Sequence, residues 1–373
     1  MIKDIKKLVV KYKGDTVGYL AELEQGIGFQ YDDNWLQNGF SISPFSLPLV
    51  SKVFVNKKNT FGGLYGVFAD SLPEGWGELL SRQMLSKKRI NPDRLSTLTK
   101  LSLIGENGLG GLTYEPSQSE AYEGVLSDLD DISKVVKQIS NDETYNSKNL
   151  DAVYKLGGSS GGARPKVHIG IDGEEWIVKF PCNYDPQNIG EKEYEANVLA
   201  KACDFNVNEC RLFNSKINSG YFGAKRFDRN KNGRVHMISL SSVLETTHKV
   251  PNLDYIHLLQ VVQSICYDQS DMYEAYGRMC FNVLYGNKND HGKNFAFLYD
   301  EEKRGYKLSP FYDITQTNEK FEHEMTVNGS GNPTEKELLE VAKIMKLSMY
   351  KCKAIIEKIK EVLLNCQVSL WLP

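Results

Sequence analysis

The run LGGSSGGARPKVHIGIDGEEWIVKFP, Leu156 to Pro181, leaves this chain fewer choices than any other part of it. Four glycines and two serines fill Gly157 to Gly162, a composition that neither continues a helix nor holds a regular strand. It reads as an open turn. A strand is expected from Lys166 to Gly170, a tight turn at Asp172-Gly173, and a second strand from Trp176 to Phe180. The helical run EKEYEANVLAKACDF and further strand-like sequence ending GYFGAKRFDR follow. Hairpin, helix, then strands define an α+β lobe.

At 373 residues, two or three cores are expected. Residues 5–31 alternate around Gly14, Gly18, Gly26 and Gly28 and read as short antiparallel strands. After a Pro-rich apolar stretch, a helix-like run from Pro73 to Met84 can put Trp76, Leu79, Leu80 and Met84 on one face. The glycine-rich IGENGLGGLTYEP closes this region near Pro116. From Ser117 to Asp151 the chain is acidic and Ser/Asn-rich. There Leu126, Leu129, Ile132, Val135, Val136 and Ile139 keep a helical period, so a surface helix between flexible linkers and a domain boundary are expected.

From Pro251 the pattern is helical, interrupted by GNKNDHGKN, the strand NFAFLY and LSPFYDIT. Thr334 and Glu337 form a capping box, and Cys352, Ile356, Ile359 and Leu363 line one face of the last helix. The expected division is 1–116, a β-rich N-terminal subdomain; 117–151, an acidic linker with a surface helix; 152–228, an N-lobe carrying the glycine-rich turn; and 229–373, a helical C-lobe.

The formal net charge is −3, which disfavours a broad basic face for nucleic acid. Seven cysteines, an odd number without a C-x-x-C pair, argue against a disulfide framework and a structural zinc site. No signal peptide or membrane span is legible, and the expected compartment is the cytoplasm.

Four separated pieces fit one task, binding a nucleoside triphosphate and transferring its γ-phosphoryl group. In GGSSGGARPK, residues such as Ser159, Ser160, Gly161 and Gly162 offer backbone and hydroxyl donors to phosphate, with Lys166 beside them. A Gly/Ser turn is by itself more often only a turn. Lys179, in an otherwise apolar strand, can reach the α- and β-phosphates; the alternative is an edge-strand lysine with its head in solvent. Glu193 on the following helix can pair with Lys179, although most helix glutamates are simply solvated. The fourth piece supplies Asn289, Asp290, His291 and Asn294 in one loop and Asp313 further on. Asn294 and Asp313 suit Mg²⁺, and phosphoryl transfer also wants a carboxylate to orient the attacking hydroxyl. The bland alternative is a polar loop plus an isolated aspartate, at odds with flanks as apolar as FAFL and SPFY.

Taken together, FADSLPEGWGELL, GENGLGGL, LGGSSGGARPK, EKEYEANVLAK, KRFDR, GNKNDHGKNF and LSPFYDI resemble, in the same order, the HipA-type serine/threonine kinases, toxin components of bacterial toxin–antitoxin pairs. The resemblance implies a two-lobed fold related to protein and phosphoinositide kinases, with an added β-rich N-terminal subdomain and a helical C-lobe. It implies ATP and Mg²⁺ as cofactors, Ser159 as an autophosphorylated residue, and Lys179 on the nucleotide phosphates. Arg226, Phe227 and Asp228 would lie at the adenosine-binding linker, Asn294 and Asp313 would ligate Mg²⁺, and His291 would support the catalytic loop. A helix-turn-helix antitoxin that makes the DNA contacts is the implied partner, and an aminoacyl-tRNA synthetase the implied substrate. The chain is short after Asp313, so the family's C-terminal helical region is expected to be trimmed.

One position departs from the family pattern. Its loop reads D-x-H-x-x-N, whereas this chain reads N-D-H-G-K-N, with Asn289 at the catalytic place and the carboxylate moved to Asp290. An amide accepts a hydrogen bond but cannot take up a proton. Three explanations stand: an inactivated variant, which is favoured; a natural pseudokinase; or substitution by Asp290. The last is disfavoured because adjacent side chains of an extended loop point apart. Beside the kinase reading stands a second one, a nucleotide-loaded scaffold for an antitoxin or target protein. A small-molecule or lipid kinase is disfavoured by the match in the N-terminal subdomain.

Overall fold

A computed structural model describes residues 2–119, 128–141, 147–158, 160–317 and 319–369. Two compact units emerge from it. The first comprises Met1–Glu191, Cys210–Ile238 and Ser242–Thr246; the second comprises Lys192–Glu209, Ser239–Ser241 and Thr247–Pro373.

The glycine-punctuated N-terminus of the first unit forms the strands expected of it: β1 (Lys7–Tyr12), β2 (Asp15–Leu23) and β3 (Gly26–Tyr31). With β4 (Phe54–Val55) and β5 (Leu112–Glu115) they make an antiparallel sheet in the order β4-β3-β2-β1-β5. Alternation decides the register: Leu8, Val10 and Tyr12 of β1 all turn inward.

A second antiparallel sheet has the order β6-β7-β9-β8, from β6 (Lys166–Ile171), β7 (Glu174–Lys179), β8 (Cys210–Phe213) and β9 (Tyr221–Lys225). Asp172 and Gly173 join β6 to β7 with φ of 53° and 78°, the two positive angles that a tight hairpin turn needs.

One core runs under this second sheet, and three of the expected segments share it. Trp76, Leu80 and Met84 come from the helix Trp76–Lys87; Ile132, Val135, Val136 and Ile139 come from the helix Leu129–Ser140; Val167, Val178, Phe180 and Tyr221 come from the sheet. The acidic segment thus lays a helix on this core. Its apolar face covers the sheet, and Asp130 fastens its first turn by accepting from Ser215 Oγ (2.6 Å), Lys216 N (2.9 Å) and the Tyr221 hydroxyl (2.9 Å). A four-stranded sheet this short has too little apolar surface to close a core alone, so neighbouring helices complete it. Leu126 lies outside the described residues. Leu79, expected on the apolar face of its helix, is exposed.

The second unit is helical around a hairpin. Its helices are Tyr255–Ile265, Ser270–Tyr285, Glu335–Ile344 and Met349–Ser369, and its hairpin pairs Ala296–Asp300 with Gly305–Leu308. The Thr334/Glu337 capping box forms as the sequence dictates, with Thr334 N–H donating to Glu337 Oε2 at 2.8 Å. Cys352, Ile356 and Ile359 are buried on one face of the last helix. Among the described residues, no helix is long and apolar enough to cross a membrane.

Candidate active site

In the first unit the glycine-rich turn is held by the N-terminal region. Glu74 N–H donates to the Ser160 carbonyl (3.3 Å) and Trp76 N–H to the Gly162 carbonyl (3.0 Å). The approach leaves no room for side chains: a β-carbon on Gly75 would lie 2.4 Å from the Gly162 oxygen, and one on Gly77 would lie 2.4 Å from the Ser160 oxygen. This is why the helix begins at Trp76 and not at Pro73. Pro73, Glu74 and Gly75 form a turn against the loop, with Gly75 at φ 52°.

Ser160 is fully buried and its hydroxyl donates back to the Gly157 carbonyl at 2.7 Å, so this side chain shapes the loop from inside. Gly161 and Gly162 form the outer part, Gly162 being exposed with φ 80°. Ser159 lies outside the described residues.

Lys166 and Lys179 are direct cross-strand partners at the end of the β6–β7 ladder nearest this turn. The Lys166 ammonium sits 2.7 Å from where a β-carbon on Gly162 would be, and the Lys179 ammonium lies 5.6 Å from the Phe222 ring centroid. An ammonium group beside exposed glycine backbone is chemistry that can receive an anion.

Arg226 and Asp228 turn away from such a role. Arg226 makes two bonds to Asp228, Nε to Oδ1 at 2.9 Å and Nη2 to Oδ2 at 2.8 Å, and reaches Glu175 at 3.1 Å. Asp228 also accepts from Gly110 N–H (2.7 Å) and Arg229 Nη1 (3.0 Å). Burial alone would raise the Asp228 carboxyl. Arg226, with Arg229 and Gly110, more than reverses this and holds it well below the usual carboxylate range. Both side chains are consumed in fastening the glycine-rich segment 108–110 to the β6–β9 sheet. Phe227 between them is half-buried.

In the second unit the helix Ser270–Tyr285 ends at Gly286, whose left-handed backbone (φ 82°) lets Gly286 and Asn287 N–H both return to the Asn282 carbonyl. The loop Asn287–Asn294 follows, and the hairpin then carries the chain out and back, with Ser309 N–H donating to Ala296 O at 2.9 Å. Register alone thus returns the segment leading to Asp313 to the neighbourhood of Asn294. Asp313 adopts φ 56°, and its charge acts on His291. Burial pushes the His291 imidazole down, against the pull of Asp313. His291 Nδ1 is buried without a hydrogen-bond partner, and the ring lies 5.0 Å from that of His248.

Asn294 donates its amide to the Asn289 carbonyl at 2.6 Å, which leaves its side-chain oxygen as the atom available to a cation. Among the described residues no group of three or more His, Cys, Asp or Glu is suited to a metal. Asn294 and Asp313 supply two oxygen donors, which fits Mg²⁺, an ion that keeps much of its water shell and leans on substrate phosphates.

Asp290 is the most heavily bonded residue of the loop. Its buried carboxylate accepts from the Tyr255 hydroxyl (2.7 Å), His323 Nδ1 (2.8 Å), Glu324 N–H (2.9 Å) and Met325 N–H (3.4 Å). Asn289 is half-buried, and its Oδ1 accepts from the Lys320 ammonium at 2.6 Å. Glu193, on the helix Ile189–Ala202, is buried in the second unit, where its carbonyl accepts from Asn197 Nδ2 at 2.8 Å.

Several residues of these two regions were not singled out from sequence: Glu74, Gly75 and Gly77, which hold the loop, and Tyr255, Lys320, His323 and Glu324, which hold or adjoin Asp290 and Asn289. Gly-Trp-Gly at a helix start was a usable signal, since two glycines flanking a large residue mark a close backbone approach. NEKFEHEMT carried none beyond its polarity.

Residues 8–115 match the HipA N-terminal domain and residues 158–366 the HipA-like C-terminal domain. The chain belongs to the HipA family. Two Sinorhizobium fredii proteins, "Putative kinase Y4dM" and "Putative kinase Y4mE", are 26% and 28% identical to it. The first alignment spans 83% of this chain and 77% of the relative, the second 84% and 78%. Among solved structures, a chain of the Shewanella oneidensis MR-1 toxin–antitoxin complex of HipA, HipB and operator DNA superposes with a TM-score of 0.73. It is 19% identical, over 98% of this chain and 91% of that one. The expected α+β class with a β-rich N-terminal subdomain stands, and the fold is that of the Shewanella HipA chain.

Proposed function

We propose that this chain is an ATP- and Mg²⁺-dependent serine/threonine kinase acting as a growth-arresting toxin. The observation that carries the reading is the cross-strand pair Lys166 and Lys179, with the Lys166 ammonium beside the exposed Gly162. Two ammonium groups and a run of N–H donors match a polyphosphate. Lys179 would take the α- and β-phosphates with Glu193 as its orienting partner. The backbone around Phe227 would border the adenosine, the side chains of Arg226 and Asp228 being structural. Asn294 and Asp313 would hold Mg²⁺, which when bound neutralises charge on the phosphates, while His291 supports the loop. Ser159 is the proposed autophosphorylation site. A phosphate there would place about two negative charges in the anion site and oppose ATP.

The partner proposed is a helix-turn-helix antitoxin that makes the DNA contacts, in keeping with the net charge of −3 and with HipB and operator DNA beside the Shewanella relative. The substrate proposed is an aminoacyl-tRNA synthetase. Asn289 favours a second reading, a nucleotide-binding pseudokinase that serves as a scaffold, because no proton acceptor stands at the expected place. Radiolabel transfer from ATP by the chain and by Asn289→Asp separates the two. Transfer by either supports the kinase. Inertness of both, with ATP still bound, establishes the scaffold.

A further inference from the structure

We propose that Glu324 supplies the carboxylate that position 289 lacks, acting as the proton acceptor for the attacking hydroxyl. The inference rests on the phosphoryl-transfer reading above and extends it to a residue outside the family's loop motif.

Lys320 connects the two positions. Its ammonium donates to Asn289 Oδ1 at 2.6 Å and to Glu324 Oε1 at 2.6 Å, so the carboxylate stands one ammonium away from the amide. Lys320 and Glu324 are four apart, the spacing that pairs charges on a helix, but they do not lie on one. Docking of Thr317 and residues 319–325 against the loop imposes their meeting. Lys288 N–H donates to Thr317 Oγ1 (2.7 Å), and the Lys288 ammonium donates to the carbonyls of Lys320 and Phe321, both at 3.0 Å. Glu324 N–H donates to Asp290 Oδ1 at 2.9 Å and to the Lys288 carbonyl at 3.2 Å. The main chain of Glu324 is thereby fixed to the residues on either side of Asn289.

The other candidates are occupied. Asp290 is buried and accepts four donors, and the Lys320 ammonium is a donor, to both Asn289 and Glu324. Glu324 keeps 23% of its side chain exposed, enough to meet a substrate hydroxyl. Its charge and that of Asp313 both act on His291, which puts the proposed acceptor and a proposed Mg²⁺ ligand around one imidazole. In the step itself, the substrate hydroxyl oxygen forms a bond to the γ-phosphorus of ATP. The bond from that phosphorus to the β,γ-bridging oxygen breaks, its electron pair leaving with ADP. The hydroxyl proton passes to the Glu324 carboxylate and then to solvent.

The test compares four full-length proteins: the native chain, Glu324→Gln, Asn289→Asp, and the double variant. Self-labelling from γ-³²P-ATP and ADP release are measured at saturating ATP, with equilibrium ATP binding measured for each. The native chain is expected to label, and Glu324→Gln to lose about a hundredfold or more in rate at unchanged ATP affinity. Adding Asn289→Asp to Glu324→Gln is expected to restore labelling to within about tenfold of Asn289→Asp alone. Equal labelling by the native chain and Glu324→Gln would overturn the proposal. So would an inert native chain beside an active Asn289→Asp, a result that leaves the kinase reading intact. Inertness of all four with ATP bound removes both.

Discussion

The main-chain N–H of Trp76 donates to the carbonyl of Gly162 at 3.0 Å, joining the N-terminal region to the glycine-rich turn without using a side chain. A backbone bond of this kind sets the shape of the turn, because it fixes where the neighbouring N–H groups point.

Replacing either glycine of the Gly-Trp-Gly run should therefore damage the turn before it damages the fold. In Gly77→Ala the new methyl would meet the Ser160 oxygen at 2.4 Å, so one of the two backbones must withdraw. The expected cost is about 1–3 kcal/mol in stability, with ATP affinity reduced by about tenfold or more. Denaturant titration and calorimetric ATP binding check the two separately. An unchanged affinity alongside the stability loss would show that the turn does not depend on this contact.

Asp290 is expected to behave as a structural residue. Asp290→Ala strands the Tyr255 hydroxyl, His323 and two main-chain donors in a buried place, at a cost of about 3 kcal/mol or more. Asn289→Ala removes one partner of a half-exposed lysine and should cost less than about 1 kcal/mol. Equal losses in a urea titration would contradict the structural role given to Asp290.

How much of this could be read in the chain follows from the distance between partners. β1 to β3, the Asp172-Gly173 hairpin and the Thr334/Glu337 capping box are local, with their signals inside a few residues. The candidate residues of each unit were legible as residue types, since glycine, lysine, asparagine and aspartate announce their chemistry wherever they fall. Roles set by distant partners were not legible. Asp290 is defined by Tyr255 and by residues 323–325, and the glycine-rich turn by Glu74 and Trp76. Arg226 and Asp228 carry the residue types of a ligand site, yet Gly110 and Arg229 turn them into a buried brace. The helix Leu129–Ser140 showed its period but not what would cover it.

Mild acid should weaken the first unit. Burial pushes the His236 imidazole down to about 4, and burial together with Arg226 pushes His168 down to about 3. The unfolded chain takes up protons on both below pH 6.5, whereas the folded chain stays neutral there until its own lower values. Stability is therefore full above pH 6.5 and falls between 6.5 and about 4, by ~3 kcal/mol for His236 alone. His236→Gln keeps a donor for the Ile42 carbonyl, which His236 Nε2 now meets at 2.9 Å, and removes the titration. Denaturation midpoints across this range should fall less steeply in the variant, leaving the His168 share.

The last prediction concerns the two lysines that face each other across β6 and β7. An anion bound at this end of the ladder would gain from both ammonium groups. Tripolyphosphate should raise the melting temperature of the native chain by linkage, more at low salt than at high. Lys179→Met should abolish most of the rise. Lys166→Met, which removes the ammonium beside Gly162, should reduce it by about half or more at matched ligand concentration. A rise that survives both substitutions would move the anion site away from this ladder, and with it the phosphate-binding role of the glycine-rich turn.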